Sequence, residues 1–84
     1  MDKITITEAG YDGGGYMQYH LKVDGVKQSL IYYNMGGYCV ERGIPVPHEG
    51  GSIGLTLREG SMTIIRREVK KANREWKTLS SRKQ

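Results

Sequence analysis

The chain contains no phenylalanine, one tryptophan, one cysteine and two prolines. A single cysteine excludes an internal disulfide, and no CxxC or Cys/His spacing points to structural zinc. No apolar run approaches the roughly 20 residues that a membrane-spanning helix needs. The start, Met1-Asp2-Lys3-Ile4, carries no apolar signal-peptide region. Together with the lone thiol, this leads us to expect a reducing, cytoplasmic setting. Acidic residues are also few, nine Asp and Glu against thirteen Lys and Arg, giving a net charge of +4. That balance favours an anionic partner, either nucleic acid or an acidic protein surface, and no membrane.

Catalytic patterns are scarce too. Cys39 with His20 or His48 would make a nucleophile and base only if the fold brought them together. A lone cysteine is more often a small buried hydrophobe. His48-Glu49 lacks the helix and second histidine of a zinc-protease motif. The triple glycine Gly13-Gly14-Gly15 runs into a strand, whereas a phosphate loop needs Gly-Lys-Ser/Thr opening a helix. It reads as a flexible loop. No cofactor fingerprint is present. The expectation is a non-catalytic protein without cofactor or metal.

What is present begins with the C-terminal third. Met62, Ile65, Val69, Ala72, Trp76 and Leu79 are spaced by alternating threes and fours. That spacing predicts an amphipathic helix over about 61–80, with a frayed tail at 81–84. At roughly 100° per residue the six fall within an arc of about 100°. Arg66, Arg67, Lys70, Lys71, Arg74 and Lys77 occupy a separate arc of about 140° on the far side. Glu68 and Glu75 lie on one seam between the arcs, so neither interrupts the basic face. Ser61 is the expected N-cap.

The clearest local signal upstream is Asp24-Gly25 between Tyr16–Val23 and Val26–Tyr33. Asp-Gly between alternating segments predicts a two-residue hairpin turn, which fixes the register. Strict alternation then pairs Val23 with Val26, Leu21 with Gln28, Tyr19 with Leu30 and Met17 with Tyr32 on a core face. The other face pairs Lys22 with Lys27, His20 with Ser29, Gln18 with Ile31 and Tyr16 with Tyr33. Like charges opposite each other are mildly destabilising. A face of paired lysines and tyrosines could therefore serve to hold phosphates and stack bases.

Ile4-Thr5-Ile6-Thr7 predicts a first strand, Tyr38 to Arg42 a short one, and Ile53 to Leu57 a last one before the helix. Asn34-Met35-Gly36-Gly37 reads as a break. Pro45 and Pro47 mark an edge segment or ordered loop. The sum is an α+β fold over residues 1–84 as a single domain. It has an antiparallel sheet of four to five short strands within 3–59 and one C-terminal amphipathic helix packed on one face. An 84-residue chain buries a modest core, so homodimerisation or a partner would add stability.

Two functional classes follow. One is a nucleic-acid-binding module using the basic helix face (Arg66, Arg67, Lys70, Lys71, Arg74, Lys77), with Tyr16, Tyr33, Lys22 and Lys27 as a further partner-binding set. The other is a small protein-binding inhibitor or adaptor. In general build alone, the chain resembles compact inhibitors of phages and mobile elements, anti-CRISPR proteins among them.

Overall fold

A computed structural model describes residues 2–47, 52–53 and 62–82, the side chains of 52, 53 and 80–82 apart. Four strands run in chain order as one antiparallel sheet: β1 (Ile4–Tyr11), β2 (Met17–Val23), β3 (Val26–Asn34) and β4 (Gly37–Val40). Two short segments, β5 (Ile44–Pro45) and β6 (Ser52–Ile53), pair separately. Helix α1 spans Met62–Arg82. The architecture is α+β, with the helix packed on the sheet, as the sequence predicts. The expected N-cap Ser61, the His48-Glu49 loop and most of the last strand lie outside the described residues.

The Asp24-Gly25 turn forms as read, with φ of 51° and 82°. Both residues are left-handed, the geometry that matches strand twist in a tight hairpin. The same turn recurs where the sequence reads as a break. Met35 and Gly36 have φ of 50° and 89°, and Asn34 pairs with Gly37 across them. Methionine carries a Cβ penalty in this region, and Met35 is 86% exposed, so no packing offsets it. Met35→Asn is expected to stabilise the protein by about 0.5–1 kcal/mol in urea titration. A loss of stability would mean that the methionine side chain makes a contact worth more than its strain.

Within the β2–β3 hairpin strict alternation fails once. Leu21 pairs with Ser29 but Lys22 pairs with Lys27, so Gln28 is an extra residue, a β-bulge. Beyond it every residue of β3 changes face. Tyr19 therefore pairs with Ile31 and His20 with Leu30, not Tyr19 with Leu30 and His20 with Ser29. Ile31 becomes fully buried and Leu30 goes to the uncovered face, the reverse of the expectation. The buried Ser29 hydroxyl accepts a hydrogen bond from the Arg42 amide at 2.8 Å, so its burial leaves no unpaired group.

The core lies between the sheet and the helix. Ile4, Leu21, Ile31 and Val40 meet Ile65, Val69 and Ala72, with Ile44 and Val46 completing the cluster. Each large aliphatic side chain buried this way contributes about 1.5–3 kcal/mol. The predicted helical stripe holds through Ile65, Val69 and Ala72, with Met62 and Trp76 half-buried beside it. Leu79 departs from it, at 36% exposed. Lys77, two residues before it, already reaches Asp2, ahead of the start of β1.

Two contacts seat the helix on β1. The Asn73 side chain accepts from the Ile4 amide at 2.9 Å and donates to the Ile4 carbonyl at 3.0 Å. The Lys3 ammonium sits 4.9 Å above the Trp76 ring and 3.0 Å from the Asp24 carboxylate, tying strand, hairpin turn and helix together.

Candidate nucleic-acid interface

The basic face of α1 is solvent-facing along its length. Arg66, Arg67, Lys70, Lys71, Arg74 and Lys77 are all exposed. Glu68 and Glu75 are half-buried on the seam toward the core, as their wheel positions require. Among the described residues only Lys77 of the six has an acidic partner, Asp2 at 3.7 Å. Both groups are exposed, and such pairs contribute little. The remaining cations are available to an anion. Arg66, Lys70, Arg74 and Lys77 form a row about 16 Å long, at 1.5 Å of rise per residue.

Four tyrosines form a ledge at the end of that row. The Arg66 guanidinium lies 5.5 Å from the Tyr19 ring centroid. Tyr19 meets Tyr38 edge-to-face at 5.9 Å, and Tyr38 meets Tyr33 in the same way at 5.5 Å. Tyr33 stacks on Tyr16 at 3.8 Å with 9° between the ring planes. The Tyr38 hydroxyl donates to the Met17 carbonyl at 2.9 Å, which fixes its ring across β3. The hydrogen bond with Tyr16, and then the neighbouring phenol's charge, push the Tyr33 hydroxyl above its usual 10.0. Burial does the same for Tyr38. Both stay neutral at physiological pH, so they do not repel phosphate.

The glycine-rich segment presents the outermost ring. The Asp12 carboxylate accepts from the Gly14 amide at 2.7 Å and the Tyr16 amide at 3.0 Å. The Asp12 amide donates to the Tyr16 carbonyl at 2.8 Å. Gly15 takes φ of 89°, a conformation that disfavours any side chain. The segment expected to be a flexible loop is thus a closed turn that holds Tyr16 in place.

The bulge changes which predicted residues come together. Tyr16 and Tyr33 do stack, but on the helix side of the sheet, because Tyr33 shares a face with Ile31. Lys22 and Lys27 face each other as predicted, yet on the uncovered side with Thr5 and His20. The expected single face of lysines and tyrosines is therefore two faces, and the tyrosines join the helix cations instead. Sequence reading missed Tyr19 and Tyr38 as members. The signal was present: Lys27-Gln28-Ser29 are three polar residues in a row, which strict alternation cannot accommodate.

Cys39 and His20 share the uncovered face but flank β3, so their strands are about 10 Å apart. Neither can activate the other across that gap. Among the described residues no cluster of three His, Cys, Asp or Glu could hold a metal ion. An open groove of about 290 Å³ runs between β1 and α1, with Ile4, Ile6 and Val69 at its floor and Arg66 and Lys70 on its rim. No helix among the described residues is long and apolar enough to cross a membrane. Comparison with protein-family models, curated proteins and solved structures finds no match to this chain.

Proposed function

We propose that this protein is a non-catalytic nucleic-acid-binding module that works inside the cell and engages its ligand through the exposed cations of α1. The observation that supports this reading is the contact between Arg66 and Tyr19, where the basic row and the tyrosine ledge meet. Phosphate contacts from arginine and lysine supply affinity, and aromatic rings beside them add a second, uncharged contact. Fluorescence anisotropy with labelled DNA and RNA across a salt series tests the reading. Binding is expected to weaken linearly in log–log form, with a slope of about −3 to −5 for four to six phosphate contacts. Flat titrations at low salt would overturn it.

A second reading, a small protein-docking inhibitor or adaptor, draws support from exposed apolar groups at one end of the sheet. Tyr11 is 71% exposed and Met35 is 86% exposed. These two flank the β1–β2 turn and the β3–β4 turn, which lie at the same end. Flat anisotropy curves would favour this reading.

A further inference from the structure

We propose that the ligand is single-stranded, with unpaired bases seated on the tyrosine ledge while Arg66, Lys70 and Arg74 hold the adjoining phosphates. The inference rests on the nucleic-acid reading and narrows it. A duplex presents phosphates on its outside and keeps its base faces occupied by stacking. It would engage the helix cations and leave the ledge unused. A single strand offers both chemistries at once, and here both lie side by side. The ledge is continuous through ring contacts from Tyr19 to Tyr16, and its first ring is itself under the Arg66 guanidinium. Its outermost ring, Tyr16, is 44% exposed.

The ledge is also prepared in advance. Tyr16 is positioned by hydrogen bonds from its own turn to Asp12, and its ring is stacked on Tyr33. Little side-chain freedom is left to lose when a base arrives, which favours binding. Base–aromatic stacking tolerates any base, because each has a π face. The expected ligand is therefore single-stranded DNA or RNA with little sequence preference.

The test compares a labelled oligothymidine of about 15 nucleotides, the matching oligouridine, and a duplex of equal length, at one moderate salt concentration. Single strands are expected to bind at least about tenfold more tightly than duplex. Tyr16→Ala is expected to weaken single-strand binding by about tenfold and leave duplex binding unchanged. Tyr16→Phe keeps the ring and is expected to bind single strands like the parent protein. Circular dichroism of each variant separates loss of the ring from loss of the fold. If duplex binds as well as single strands, or if folded Tyr16→Ala binds single strands unchanged, the inference is wrong while the nucleic-acid reading stands. If nothing binds, both fail.

Discussion

Asn73→Leu is expected to lower folding stability by about 2–4 kcal/mol, although leucine matches asparagine closely in size. Asn73 is 7% exposed, and its amide satisfies both the N–H and the C=O of Ile4. Ile4 lies on the outer edge of β1, and these two groups point away from β2. Without Asn73 both are left inside the helix–strand contact, where each unpaired backbone group costs about 1–3 kcal/mol. For a chain of 84 residues, total stability is about 4–13 kcal/mol. The substitution would remove a large share of it. Asn73→Asp sharpens the test. The carboxylate can still accept from the Ile4 amide, but it faces the Ile4 carbonyl with a charge where a donor stood. Its folded pKa would lie above the unfolded value of about 3.9. The variant's deficit should therefore be small below that value and grow as pH rises past it. Urea titrations of the two variants at acid and neutral pH check this. An undiminished midpoint for Asn73→Leu would mean that water takes over both Ile4 groups.

The triple variant Arg67→Glu, Lys70→Glu, Arg74→Glu is expected to weaken nucleic-acid binding by about 100-fold or more near physiological salt. It should also make the salt slope shallower by about 2–3. Each lost phosphate contact removes about 0.7–0.9 from the slope, and reversed charges add repulsion. The three side chains are exposed and have no ion-pair partner among the described residues. Glutamate is also a good helix former, so the fold should persist. Anisotropy for binding and circular dichroism for helix content check the two halves. Unchanged binding by a folded triple variant would rule out α1 as the interface.

Most of this organisation is legible in the chain because local rules carried it. Asp24-Gly25 specifies its turn through backbone preference alone, and the spacing from Met62 to Trp76 specifies a helix by periodicity. Neither depends on a distant partner. The bulge at Gln28 escaped because its cause is non-local: Ile31 must reach the helix core, and an extra residue is what turns it there. Asn73 escaped for a related reason. On the wheel it is one polar residue beside Ala72, and only the edge of β1, 69 positions away, makes it necessary. The Met35-Gly36 turn was missed because methionine is an unusual occupant of a left-handed position. Tyr16 and Tyr33 do meet, but as stacked rings one step out of the expected register, and the face they occupy depended on the same bulge.

That one extra residue has a consequence for how such a surface changes over generations. Substitutions can only recolour the ledge or the basic row, since each alters a side chain in place. Losing Gln28, by contrast, would remove only the unpaired residue: Lys27 would stay opposite Lys22 and Ser29 opposite Leu21. Ile31 would remain in the core, Leu30 on the uncovered face and Tyr33 on the helix side. A three-nucleotide deletion at this point would thus straighten the strand and spare the ledge. For this architecture the bulge is a reserve of length, one residue of β3 that can be lost without moving the binding surface.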